Sequence, residues 1–225
     1  MNRFDGVGET LKSDWIEDVH SGNLDNQSVE LKGWVHRSRG SNKMRFVVLR
    51  DSTGTIQCVV KRDVVGDEMF EEVKSALIES SLIFRGTVIP TDREHGHEIQ
   101  VESVEIVGSV NPERPYPITE SVMEVDNLSE NAFLLDNRHL YLRTERMTQM
   151  LKIRSSVFGA IHQYFRNHDF IEYQAPNFVA GAVEGGSTLF EVPYFPTEEN
   201  PDRKAYLTQS WQLYAEAAMP ALERL

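Results

Sequence analysis

Between Lys32 and Arg62 the chain carries eight basic residues (Lys32, Arg37, Arg39, Lys43, Arg45, Arg50, Lys61 and Arg62) and a single acid, Asp51. The same stretch holds an aromatic ring, Phe46, and a side-chain amide, Gln57. Cations neutralise phosphates, and an aromatic ring stacks an unpaired base for about 1–3 kcal/mol. A glutamine amide offers a donor and an acceptor to one base edge. Together these types suit single-stranded nucleic acid. The plainer readings are a solvated strand face, a core phenylalanine and an exposed strand glutamine. A second group lies later, where Glu184 sits among Gly185, Gly186 and Ser187. A carboxylate in such a loop can reach a substrate ammonium as the loop closes, and the plainer reading is a solvated loop glutamate. His95 and His97 form the closest histidine pair, but no third ligand accompanies them, so no metal site is read there. Cys58 reads as a buried strand residue.

Composition bounds what these groups can do. The 225 residues are 40% hydrophobic and 26% charged, which excludes wholesale disorder. No apolar run is long enough to span a membrane, and the N-terminus lacks the basic start and apolar stretch of a secretory signal. One cysteine makes neither an internal disulfide nor a Cys-based zinc site, so a reducing compartment, the cytoplasm, is expected. The formal net charge of −12 argues against nucleic-acid binding by bulk charge. Any such contact must come from the local patch.

The elements that must position these residues follow from periodicity. A short helix is predicted near 11–18, then an alternating strand over 29–37, a polar link over 38–43 and a second strand over 45–50. A turn at 51–54 leads to a third strand over 55–60. Helical spacing follows over 67–79, with Met69, Phe70, Val73, Leu77 and Ile78 on one face, and then two extended runs, 82–89 and 98–107. Three strands, a helix and two strands is the order of a five-stranded OB barrel, whose second and third strands face oligonucleotides. The proline-rich segment 109–120 reads as a linker. Beyond it the pattern predicts a long amphipathic helix from Glu145 (Met147, Leu151, Val157, Phe158, Ile161, Phe165) and a short strand at 170–173 stopped by Pro176. A Gly-rich loop over 181–188, a strand at 205–208 and a helix from about Trp211 complete the reading.

Several segments carry a resemblance to a known family. "LDNRHLYLRT" (135–144) resembles the hinge of the aspartyl- and asparaginyl-tRNA synthetases, and "FIEYQAP" (170–176) is similar to class II motif 1, which ends in a proline. "VEGGSTLFEV" (183–192) resembles the mobile loop beside their amino-acid pocket. "GWVHRSR" (33–39) and "FVVLRDSTGTIQ" (46–57) resemble their anticodon-binding barrel. These motifs stand in family order over nearly the whole chain. The fold implied is α+β, a five-stranded OB-fold β-barrel over 1–108, a linker and hinge over 109–144, and the start of a class II antiparallel-sheet catalytic domain over 145–225. By the same resemblance, Phe46 and Gln57 hold the central uridine of the anticodon, Arg39 lies near the same bases and Glu98 contacts the anticodon. Pro176 takes the place of the interface proline of a homodimer.

"TQSWQLYAE" (208–216) bears on the amino acid. Aspartyl enzymes resemble "QSPQLYKQ", whose lysine neutralises the substrate carboxylate; here Ala215 occupies that position and Glu216 follows. A carboxylate there repels aspartate and accepts the amide N–H of asparagine. Gln212 to Glu216 fits the asparaginyl "GQLxxE", while "TQSW" is less typical of either. The pocket residues implied are Glu184, Ser187, Gln209, Gln212 and Glu216. The resemblance implies ATP-dependent activation of asparagine to its adenylate, with Mg2+, and transfer to tRNA(Asn), by positioning and charge neutralisation rather than a protein nucleophile. Motifs 2 and 3, with their arginines, do not occur in the 225 residues, so no catalytic residue is identified and the chain alone is expected to be inactive. The rival readings are an aspartate–tRNA ligase charging both tRNAs, an inactive tRNA-binding fragment, and a general single-strand binder.

Overall fold

The structure, a computed structural model, describes residues 14–92, 96–118, 132–180, 189–195, 197–201 and 203–225. The chain divides into two compact units, Met1–Arg143 and Thr144–Leu225. The first is built on a closed five-stranded barrel in the order β1-β2-β3-β5-β4. Its strands are β1 (Ser28–Gly40), β2 (Met44–Arg50), β3 (Thr55–Lys61), β4 (Ser81–Pro90) and β5 (His97–Gly108). Helices α1 (Ile16–His20), α2 (Arg62–Val65) and α3 (Asp67–Ser75) accompany them. Alternation along the strands turns Leu31, Val35, Val47, Leu49, Ile56, Cys58, Leu82, Phe84 and Ile99 inward, where Ile16 and Val19 of α1 and Phe70 and Val73 of α3 join them.

Closing so small a barrel demands sharp bends. At Gly86 the β4–β5 register shifts, and a Cβ there would lie 2.1 Å from the Gln100 carbonyl oxygen, so only glycine fits. Asp51, the single acid of the basic stretch, is buried. Its carboxylate accepts from the backbone N–H of Thr53 (2.7 Å) and Gly54 (3.1 Å), the Thr53 hydroxyl (2.6 Å) and the Ile16 N–H that opens α1 (3.1 Å). One side chain thus shapes the β2–β3 turn and caps a helix.

Several elements differ from their predicted extents. β1 runs on to Gly40 through part of the polar link, because it gains β2 as a partner. Helix α3 stops at Ser75, short of Leu77 and Ile78, as the backbone turns extended at Ala76. The predicted strand at 170–173 is not a strand: among the described residues it has no ladder partner, and the Ile171 N–H donates to the Arg224 carbonyl instead. The hinge segment forms two short helices, α4 (Ala132–Asp136) and α5 (Arg138–Tyr141). In the second unit, α6 (Glu145–Asn167) starts at Thr144, whose hydroxyl caps Met147. Its apolar residues are exposed, from 45% at Leu151 to 64% at Ile153, and only Met147 is buried. A three-stranded antiparallel sheet, β6 (Phe178–Val179), β8 (Lys204–Leu207) and β7 (Glu191–Pro193), and helix α7 (Gln212–Leu222) follow.

Within the first unit the hinge is tied to the barrel. Glu79 lies in the left-handed region (φ 71°), its side chain only 7% exposed. Both its oxygens accept from Arg50 Nη2, at 2.8 and 2.9 Å, and it also pairs with Arg143. Both guanidinium groups lie over the Trp34 ring, at 5.5 and 5.4 Å. The Tyr116 hydroxyl donates to the Leu140 carbonyl (2.9 Å), and burial, then the Glu79 charge, raises its pKa above the usual phenol value. Arg50 alone neutralises Glu79, so the second cation is surplus to charge balance. Glu79→Gln leaves two cations over one indole and is expected to cost about 3–5 kcal/mol of unfolding free energy. Arg143→Gln is expected to cost about 1 kcal/mol or less, and urea denaturation of the two variants checks the contrast.

Candidate nucleic-acid interface

The alternation that fills the barrel also lays out its outer face. A bulge between Val35 and Arg37 resets β1, so that Arg37 pairs with Val48 and Arg39 with Phe46. On β3, Val59 faces Phe46 and Gln57 faces Val48. The parallel pairing of β3 with β5 then sets Gln57 beside Glu98 and Val59 beside Gln100. Cross-strand partners share a face, so Arg39, Phe46, Gln57 and Glu98 stand on one continuous outer surface.

The geometry within this surface is specific. The Arg39 guanidinium lies 6.0 Å from the centre of the Phe46 ring. Phe46 is half-buried rather than a core residue, and the pairing valine, Val59, is 97% covered although it points away from the barrel interior. An aromatic ring on an apolar floor with a cation beside it can stack a base and hold a nearby phosphate. Gln57 Nε2 donates to Glu98 Oε2 (3.2 Å) and Gln100 Nε2 to Glu98 Oε1 (2.9 Å). Gln100 carries no motif of its own in the sequence. Its signal was weak, two residues beyond Glu98 on a period-two strand.

The basic cluster is smaller than its sequence suggests. Lys32 pairs with Glu30 (2.9 Å), Arg50 with Glu79, and Arg62 with Asp67 (2.9 Å) and Glu71, all acids outside the stretch. Arg45 donates to the Ser38 hydroxyl (2.8 Å). Lys43, Met44, Lys61 and Arg62 line a cleft near one end of β2 and β3. His97 bonds Asp25 (2.9 Å), His95 lies outside the described residues, and among the described residues no three His, Cys, Asp or Glu gather as a metal site.

In the second unit, Gln209 is exposed after β8. Gln212 and Glu216, one turn apart on α7, are joined by a 3.0 Å bond from Gln212 Nε2 to Glu216 Oε1, whereas Ala215 between them is buried. Pro176 is exposed. Glu184 and Ser187 lie outside the described residues.

Comparison with known proteins bears on both units. Residues 29–107 match the OB-fold nucleic acid binding domain, and residues 130–225 match the tRNA synthetases class II (D, K and N). An asparagine–tRNA ligase of Symbiobacterium thermophilum is 39% identical over 212 residues, 94% of this chain and 45% of that protein. One of Thermococcus kodakarensis is 39% identical over 203 residues, 90% of this chain and 43% of that protein. The crystal structure of asparaginyl-tRNA synthetase from Pyrococcus horikoshii complexed with asparaginyl-adenylate superposes with a TM-score of 0.78 at 36% identity, over 95% of this chain and 46% of that one. The chain spans less than half the length of the curated relatives it matches.

Cys58 stays outside this surface. It is fully buried, and burial raises its thiol pKa far above the ordinary value. A thiol-reactive disulfide reagent at pH 8 is expected to leave the native protein unlabelled and to titrate one thiol per chain in denaturant.

Proposed function

We propose, from the premise that this chain belongs to the class II tRNA synthetases of the D, K and N group, that it forms the anticodon-reading barrel and the beginning of the catalytic domain of an asparagine–tRNA ligase. The observation that carries the reading is the outer barrel face on which Phe46, Arg39, Gln57 and Glu98 converge. In this reading Phe46 stacks the central base of the anticodon loop, Gln57 reads its edge, and Arg39 holds the adjoining phosphate.

Asparagine is favoured over aspartate by the group on α7. Glu216, held by Gln212, is an acceptor for a side-chain amide and repels a carboxylate, and Ala215 supplies no compensating cation. Glu184 and Ser187 complete the amino-acid pocket in this reading, with the Glu184 carboxylate on the substrate ammonium. ATP and Mg2+ are the expected co-reactants: ATP would supply the adenylyl group to the asparagine carboxylate with pyrophosphate as the leaving group, and Mg2+ would neutralise phosphate charge. No residue of this chain is assigned to hold either, since the expected ligands belong to motifs 2 and 3. A homodimer through the Pro176 region fits the exposed apolar face of α6, an apolar surface of the kind that contacts between chains cover.

Binding of the anticodon stem-loop of tRNA(Asn) is the test. The chain is expected to prefer it to stem-loops of unrelated sequence at fixed salt. Phe46→Ala is expected to weaken binding by about 1–3 kcal/mol, measured by fluorescence anisotropy. Equal affinity for all loops with a steep salt dependence would instead identify a general single-strand binder.

A further inference from the structure

We infer that Gln100, through Glu98, locks the amide of Gln57 in one orientation, and that this lock makes the barrel face select uracil over cytosine. The inference rests on the anticodon reading above and concerns residues on β3 and β5 alone. Glu98 stands between two glutamines, Gln57 on β3 and Gln100 two positions further along β5. Its Oε2 lies 3.2 Å from Gln57 Nε2 and its Oε1 lies 2.9 Å from Gln100 Nε2. An ionised carboxylate only accepts hydrogen bonds, so each glutamine turns its NH2 toward Glu98. Flipping the Gln57 amide would set its carbonyl oxygen against the carboxylate, oxygen to oxygen.

The consequence is chemical selectivity. With one N–H committed to Glu98, the locked Gln57 still presents a carbonyl acceptor and its second N–H. Uracil offers a ring N–H donor beside a carbonyl acceptor, which matches. Cytosine offers the reverse, a ring nitrogen acceptor beside an amino donor, and is matched only by the flipped amide. A free glutamine would serve either base by rotating. Glu98 is thereby a positioning residue, and so is Gln100, whose bond to the other oxygen fixes the plane of the carboxylate. Phe46 contributes affinity that does not depend on the base, because every base has a face to stack.

Anticodon stem-loops that differ only in U or C at the central position test this, with affinities of the full chain measured at one salt concentration. The wild type is expected to prefer U by roughly tenfold, the scale of one two-point base contact. Glu98→Gln replaces a pure acceptor by an amide that bonds Gln57 in either orientation. Gln100→Met keeps the volume and removes the brace. Both changes are on the outer face and nearly isosteric, and each is expected to bring the U:C ratio to within about threefold. Phe46→Ala is expected to weaken both loops equally and keep the ratio. Retention of the wild-type ratio in Glu98→Gln overturns the lock while leaving the anticodon reading standing, and retention in Gln100→Met alone removes Gln100 from it. A wild type that does not distinguish U from C also overturns the lock, whereas equal binding of stem-loops of unrelated sequence overturns the anticodon reading itself.

Discussion

The barrel depends on one short pairing. Strands β3 and β5 run parallel and meet over three register pairs, Gln57 with Glu98, Cys58 with Ile99 and Val59 with Gln100. Every other junction of the barrel is antiparallel, and β4 with β5 pairs over far more residues. Without the parallel contact the sheet keeps two open edges, and its inward side chains lose the enclosure that buries them. The middle pair of the junction, Cys58 and Ile99, is fully buried. The flanking pairs point outward and build the polar part of the binding face. The same backbone contact that seals the core therefore assembles the site, so the geometry of Gln57 and Glu98 is as firm as the closure itself.

Charge is distributed by the same logic. A chain with a net charge of −12 cannot attract a polyanion as a whole, yet residues 32–62 carry a local excess of cations. Part of that excess is structural. Arg50 and Arg143 converge on Glu79 over Trp34, Arg62 lies 4.3 Å from the Phe70 ring while bridging to Asp67, and Arg85 spans Glu30 (2.7 Å) and Glu105 (3.3 Å). These pairs spend positive charge on holding strands and helices together. Arg39 is directed to the outer face instead, beside Phe46.

The second unit is organised differently. Its long helix α6 follows the amphipathic pattern faithfully, and the Thr144 cap starts it where the spacing predicts. Its apolar side chains nevertheless stay exposed, as do Phe190 (77%) and Phe195 (75%). Helix formation needs only local bonds and a suitable period, whereas burial needs a partner surface. Residues 130–225 match the class II tRNA synthetases, and the chain spans less than half the length of the relatives it matches.

Much of this was legible in the residues. The period-two runs gave five strands, the strand–helix–strand order gave the OB barrel, and the hinge and pocket motifs carried the resemblance to the class II synthetases, because each is a local pattern that a linear reading retains. The amino-acid sequence also named Arg39, Phe46, Gln57 and Glu98 one at a time. Only the tertiary structure decided that Gln57 and Glu98, 41 residues apart, share a hydrogen bond, and that Gln100 braces the same carboxylate. It alone turned Asp51 inward, spent Arg50 on Glu79, and left 170–173 without a ladder partner among the described residues. The physical reason is common to all of these. Hydrogen-bond partners, ion pairs and strand neighbours are chosen by chain closure in space, and a residue's type and spacing fix what it can offer but not which group will face it.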